Sequence, residues 1–367
     1  MKILYLIPSF GSGGAERQLS IIAPLLAESG FECHVGYCQE GPNLQPLLES
    51  SVHLHRIDVA GNHDPRLLWQ VWSLIRRVKP DVVHTWLLQM DVVGGVAALL
   101  SKVPFVLSER SSTSAYPPGW KIFLRKKIGM FASSIVANSQ GGMDYWMSLR
   151  TMGTIHLIRN CVISAQYDFG DLYDELPATP FILFAGRLSP EKNVLLLLDA
   201  LVQVVNIVPE YLVIMFGDGP LRDDLQRKIT DYGMGGRIRL GGYTSGLAAW
   251  LNRADVCVTI SNFEGNPNVT LEAAALGCPL VLSDIPAHRE IFDETSAVLV
   301  NHKSVDSVSK GILWALREKG ERLEKAEKAK HLVASYSPDV ILAEYRRFYS
   351  DVVDLKSRNC NKIKVMN

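Results

Sequence analysis

The chain has 367 residues, long for one hydrophobic core and comfortable for two domains. Apolar residues make up 47% and charged residues 21%, enough to bury two cores and to exclude a disordered chain. The formal net charge is zero, which removes any global case for nucleic-acid binding.

The opening "MKILYLIPSF" is apolar too briefly for a secretory leader and runs into a Gly-rich turn, so 2–8 is expected as a first buried strand. "FGSGGAERQ" then turns the chain into a helical pattern. Further strands are expected at 33–38, 52–59, 81–86, 104–108, 133–139 and 154–160. Amphipathic segments such as "PRLLWQVWSLIRRVKP" separate them. The stretch 162–180, polar and closed by two prolines, is expected as the link between domains. The pattern restarts at 181–187, 211–219, 237–243, 255–261, 279–284 and 297–300. Strands alternating with helices of ten or more residues imply parallel pairing with right-handed crossovers. The fold class is therefore α/β, with two doubly wound domains. The stretch 305–350 mixes Lys and Glu at helical spacings, as a solvated helix face does.

The six cysteines show no C-x-x-C pair and no partnering His-x-His spacing, so buried reduced thiols and no metal site are expected. No apolar run approaches the ~20 residues needed to cross a bilayer. A cytoplasmic chain, at most resting on the inner face of the cell membrane, is the expectation.

Three stretches carry candidate chemistry. In "FGSGGAERQ", Gly11, Gly13 and Gly14 lie between a strand and a helix start, where free N–H groups favour an anion. Glu16 occupies the place of the third glycine of a nicotinamide fingerprint, which argues against NAD. In "FAGRLSPEKN", Arg187 leaves a buried strand and Lys192 follows around the turn at Pro190. A forked guanidinium and a point-charge ammonium there suit a diphosphate. In "SNFEGNPNVTLEAAALGCPLV", Glu264 precedes a helix and Glu272 lies on its second turn, expected to face outward. Asn266 is expected to cap that helix, with Pro267 at its first position and Gly277 ending it. Carboxylates accept from hydroxyl groups, while the N–H groups of Asn268 and Val269 suit a phosphate. The three together describe a sugar, a diphosphate and a ribose in a row.

The segment "EGNPNVTLEA" resembles the E-x7-E signature of the retaining glycosyltransferases of family four, which have the GT-B fold. The resemblance extends over nearly the whole chain through "GSGGAER", "KPDVVHTW", "VANS", "IRN", "AGRLSPEKN", "FGDGP" and "SDIPAHREI". It implies two Rossmann-like domains facing a central cleft: 1–165 for the acceptor and 166–345 for a nucleoside diphosphate sugar. A helical tail, 346–367, returns to the first domain. It further implies that Arg187 and Lys192 hold the diphosphate, Glu264 the donor sugar and Glu272 the ribose. Asn268 and Val269 donate main-chain N–H groups. Gly13, Gly14, Gly217 and Gly265 complete the donor-binding set.

One departure stands out. Where relatives place a His near the anomeric carbon, "VPFVLSERSSTS" places Glu109 and Arg110. Arg110 suits a departing phosphate but cannot be a general base at neutral pH. His84 and His288 are the nearest alternatives and are read as structural.

The implied activity is transfer of a hexose or N-acetylhexosamine to a glycan acceptor, lipid-linked, in bacterial surface-polysaccharide synthesis. No metal cofactor is expected, since no Asp-x-Asp stands beside the site. The segment 117–131, where Trp120, Phe123 and Phe131 interleave with Lys121, Arg125, Lys126 and Lys127, is a candidate membrane contact. A sugar-nucleotide epimerase and a catalytically idle nucleotide-binding partner are the alternatives.

Overall fold

The computed structural model describes residues 1–61, 64–111, 119–150, 153–163 and 176–364, with side chains as far as Val352. The middle of the expected linker, the first two residues of the 117–131 segment and the Cys360 side chain lie outside the described residues.

All thirteen expected strands form. The first unit holds β1 (Lys2–Ser9), β2 (Glu32–Gln39), β3 (His53–Arg56), β4 (Val82–Trp86), β5 (Phe105–Glu109), β6 (Ser134–Ala137) and β7 (Thr154–Leu157). They make one parallel sheet in the order β3-β2-β1-β4-β5-β6-β7. The second unit holds β8 (Phe181–Ala185), β9 (Leu212–Phe216), β10 (Ile238–Gly242), β11 (Val256–Thr259), β12 (Leu280–Ser283) and β13 (Val298–Val300). These also run parallel, in the order β10-β9-β8-β11-β12-β13. Each sheet thus reverses its winding once, between β1 and β4 and between β8 and β11, which is the doubly wound topology.

Why these residues make strands is visible in their burial. Ile3, Tyr5 and Ile7 pack on one face with the helix Gly14–Glu28, while Leu4 and Leu6 pack on the other with Arg66–Val78 and Leu87–Leu100. Strands covered on both faces read as continuous apolar runs rather than alternation.

The chain divides into Met1–Cys161 with Pro338–Asn367, and Val162–Ser337. The returning helix, Pro338–Lys364, therefore starts eight positions before residue 346. The proline is tolerated because its missing N–H falls in the first turn. Ile341, Tyr345, Phe348, Tyr349 and Val352, spaced three or four apart, are buried in the core that contains Tyr5. Each such burial contributes roughly 1.5–3 kcal/mol. The stretch 305–350 is mostly helical, as its spacing predicts. It breaks into Val305–Arg317, Lys319–Val333 and the returning helix, and Val308, Ile312 and Leu316 of the first are core residues. The Lys/Glu pattern describes only the outer side of the middle piece. Among the described residues no helix is long and apolar enough to cross a membrane.

Candidate functional site

In the second unit the chain leaves β8 and β11 in opposite directions, and their carboxyl ends open the crevice where such sheets bind ligands. After β8 comes Gly186, then Arg187, exposed, then a helical turn Pro190–Lys192. After β11 comes the loop with Ser261 and Glu264. Asn262 ties the two: its backbone N–H donates to Glu191 O at 2.8 Å and its Nδ2 to Pro190 O at 2.8 Å. The tie brings Lys192 Nζ to 2.5 Å from Glu264 Oε1, and Ser261 Oγ donates to the same oxygen at 2.6 Å. Burial pushes the Glu264 carboxyl up, but the Lys192 ammonium and these two hydrogen bonds outweigh it and hold the group below the usual carboxylate range. Lys192 and Glu264 are thus an ion pair, and Ser261 is a partner that the sequence motif did not reveal. Arg187 makes no ion pair among the described residues.

Gly217 follows β9 with φ 129°, and a Cβ there would stand 1.9 Å from Gly186 O. Only glycine fits, because the two strand ends touch backbone to backbone. Gly265 follows Glu264 directly in the loop.

The helix Asn268–Ala275 differs from expectation at its start. Pro267, extended at ψ 103°, is the capping residue and makes no side-chain cap bond, so Asn266 is not the cap. No acid stands in the first turn, where one would neutralise the positive helix end at Asn268 and Val269. The other end closes as expected. Gly277, at φ 72°, donates to Ala274 O and Cys278 to Ala273 O, the Schellman pattern. Glu272 does not face outward: it is 7% exposed, beside the buried Thr270, Leu271, Ala273 and Ala274. The helix is covered nearly all round, so its period has no solvent face to assign.

His288 is fully buried in this unit. Its Nδ1 donates to Ser283 O at 2.8 Å, while Nε2 has no hydrogen-bond partner. Burial lowers its pKa, and Glu264 offsets this only in part, so the ring stays neutral.

The first unit has its own crevice at the β1/β4 reversal. A cavity of about 580 Å³ is lined by Ser9, Leu87, Leu88, Val92, Arg110 and Trp120, among others. Leu87 holds φ at 68°, a strained value for a bulky residue. Arg110 follows β5 and is clamped: its guanidinium carbon lies 3.8 Å from the centre of the Trp86 ring, and Nη2 donates to Tyr345 Oη of the returning helix at 2.6 Å. Its Nε is buried with no hydrogen-bond partner. His84 bonds through both ring nitrogens, to Tyr349 Oη at 2.6 Å and Ser108 Oγ at 2.7 Å. It is a core residue.

Glu109 ends β5 fully buried. Arg125 donates to Glu109 Oε2 and to Asp91 Oδ2, each at 2.7 Å, and Trp146 Nε1 donates to the same Glu109 oxygen at 2.9 Å. One guanidinium so serves two buried carboxylates, and burial pushes Asp91 up to about 7 against the pull of Arg125. Arg125 therefore does not belong to a basic surface face. Trp120, Phe123, Met130 and Phe131 are exposed, alongside Lys121 and Lys127. Gly13 caps the helix Gly14–Glu28, and Glu16 occupies its first turn with its carboxylate folded against Gly13. The helix end expected to draw an anion already has a carboxylate beside it.

Known proteins share this build. Residues 12–166 match the model of Glycosyltransferase Family 4, and residues 175–332 that of glycosyl transferases group 1. The chain is 23% identical over 363 residues, 96% of this chain and 99% of the relative, to the GalNAc-alpha-(1->4)-GalNAc-alpha-(1->3)-diNAcBac-PP-undecaprenol alpha-1,4-N-acetyl-D-galactosaminyltransferase of Campylobacter jejuni. It is 26% identical over 314 residues, 77% of this chain and 79% of the relative, to the UDP-Gal:alpha-D-GlcNAc-diphosphoundecaprenol alpha-1,3-galactosyltransferase of Escherichia coli. The crystal structure of Anabaena Alr3699/HepE in complex with UDP and glucose superposes with a TM-score of 0.84 at 21% identity, over 96% of this chain and all of that one. Two parallel-sheet α/β units of this build are the GT-B fold. The two family matches jointly span most of the chain, which belongs to glycosyltransferase family four and is an enzyme of sugar transfer.

Proposed function

We propose that this enzyme moves a hexose or N-acetylhexosamine, with retention at the anomeric carbon, from a nucleoside diphosphate sugar to a lipid-linked glycan in bacterial surface-polysaccharide synthesis. The observation that carries the reading is the Lys192–Glu264 pair at the β8/β11 reversal, ahead of a helix with no acid in its first turn. In this assignment Glu264 accepts from hydroxyls of the donor sugar, and Lys192 both orients that carboxylate and meets the diphosphate with Arg187. Asn268 and Val269 add backbone N–H groups, and Glu272 takes the ribose. Gly217 and Gly265 let the backbone come close. The first unit takes the acceptor in the cavity beside Arg110, and Gly13 and Gly14 let their loop approach donor and acceptor. Arg110 steadies negative charge on phosphate. The exposed aromatics and lysines of 117–131 rest on an anionic membrane surface, at the cytoplasmic face.

The chemistry needs no glycosidase-type carboxylate pair. The acceptor oxygen bonds to the anomeric carbon on the face from which the diphosphate departs. The acceptor's proton passes to a leaving diphosphate oxygen. Positive side chains and helix N–H dipoles stabilise the charge growing there. No metal ion is required by this scheme, so transfer persists in chelator.

The test is calorimetric titration with UDP, GDP and their sugar conjugates, then transfer to a glycan on a polyprenyl diphosphate. Expected are one preferred nucleotide and an acceptor-dependent product with the donor's anomeric configuration. Donor turnover without acceptor, yielding an epimerised sugar, would defeat the proposal. So would nucleotide binding with no product on any acceptor.

A further inference from the structure

The amino ends of β2 and β3 carry a cluster that sugar transfer does not use, at the opposite end of the sheet from the cavity. Strand alternation puts Glu32 and His34 on one face of β2, and His53 and His55 on one face of β3. The parallel register pairs His34 with His53 and Gly36 with His55. The imidazoles therefore stack, His34 on His53 at 4.7 Å between ring centres and on His55 at 5.1 Å. One ligand atom from each of Glu32, His34 and His53 lies within 4.8 Å of the others. His53 and His55 stand at a His-x-His spacing that is paired with no cysteine. The neighbouring strand supplies what completes it.

We propose that Glu32, His34 and His53 bind a borderline divalent transition-metal ion of the Zn²⁺ class, with His55 orienting His34. Two imidazole nitrogens and a carboxylate oxygen suit zinc, and not calcium or magnesium, which prefer oxygen throughout. Bonds of about 2.0–2.2 Å put neighbouring ligand atoms roughly 3.3 Å apart. Glu32 and His53 are exposed, with room to swing inward, while His34 is 8% exposed and fixed between its partners.

The hydrogen bonds favour the same ion. His34 Nε2 lies 3.0 Å from Glu32 Oε1, and His34 Nδ1 lies 2.8 Å from His55 Nε2. A carboxylate only accepts, so without metal the Nε2 position holds the proton. A cation at Nε2 takes that place, and the ring proton moves to Nδ1, where His55 Nε2 accepts it. Each imidazole stays singly protonated throughout, and the outer ring fixes the tautomer of the ligating one. Lys2 Nζ, 2.9 Å from Glu32 Oε1, competes for the carboxylate. The bound ion would clip β3, a four-residue edge strand, to β2.

The test uses the full-length chain without a tag, stripped with chelator, titrated with Zn²⁺ by calorimetry and with Co²⁺ by visible absorption. One ion per chain is expected, with cobalt bands of a nitrogen- and oxygen-ligated site. His34→Ala and His53→Ala should each weaken binding at least about tenfold, and His55→Ala about tenfold. Lys2→Met should tighten it. His53 is exposed at an edge, so its variant folds and decides the matter even where His34→Ala does not. No Zn²⁺ uptake, or an affinity that His53→Ala leaves unchanged, would overturn the site.

Discussion

The two sheets reverse their winding in the same way, yet they furnish the crevice at the reversal differently. In the second unit the crevice holds a partly exposed ammonium and carboxylate, tied by Asn262 and Ser261 and followed by a helix start without an acid. In the first unit two of the cations that line the cavity are held by the protein's own groups. Arg125 is locked between Asp91 and Glu109, and Arg110 is clamped by Trp86 and Tyr345. The first helix end even carries its own carboxylate, Glu16. One unit keeps charge available to a small anionic ligand. The other uses charge to brace a largely apolar cavity. In the proposed assignment the same topology serves a nucleotide in one case and a bulkier, partly apolar acceptor in the other.

The sharpest way to break this contrast is to remove the brace. Arg125→Met strands two buried carboxylates and should cost about 3–5 kcal/mol, a fall in melting temperature of roughly 10 °C for a unit of this size. A fall of only a degree or two would mean that the buried charges do not hold the first unit together. Glu264→Gln is next. It keeps an acceptor for Lys192 but loses the charge, and kcat should drop about a hundredfold while calorimetry finds nucleotide affinity little changed. Equal losses in both would remove Glu264 from the donor sugar.

Lys192→Met should weaken nucleotide binding and remove the main opposition to burial at Glu264, leaving the Ser261 hydrogen bond. The pKa of that carboxyl then rises, and the acidic limb of the rate profile should move up by about one pH unit or more. An unmoved limb would detach the pair from catalysis. The smallest effect belongs to Asp91. Its folded value, about 7, lies above its unfolded one. The native state therefore holds the extra proton between roughly pH 4 and the folded value. Stability from this group is complete below that window and is lost as pH rises through about 7. Asp91→Asn should flatten the slope, at most roughly 1.4 kcal/mol per pH unit, in urea unfolding at pH 5 and 7. An unchanged slope would place the titration elsewhere.

How much of this was legible depends on range. The strands were, because a run such as Phe181–Ala185 is apolar throughout and bounded by turn residues. Glu264 and Lys192 were legible as separate groups, since each follows a buried strand. Their pairing was not: it depends on Asn262 reaching Pro190 and Glu191 across 72 and 71 positions. Glu272 was misplaced because an eight-residue helix buried on most sides offers no polar face from which to count. Arg125 looked like part of a basic surface because its carboxylates lie 34 and 16 positions away. Glu32 and His34 could not be joined to His53 without the parallel register of two strands.

What the sequence by itself determined is the local order: which segments are strands, where the sheets restart, and which side chains stand at the carboxyl ends. Burial and turn chemistry are properties of neighbouring residues, so they are written locally. Only the tertiary structure decided which charges meet. An ion pair, a clamped guanidinium or a stack of imidazoles is set by strand register and loop contact, and those distances are not encoded by spacing along the chain.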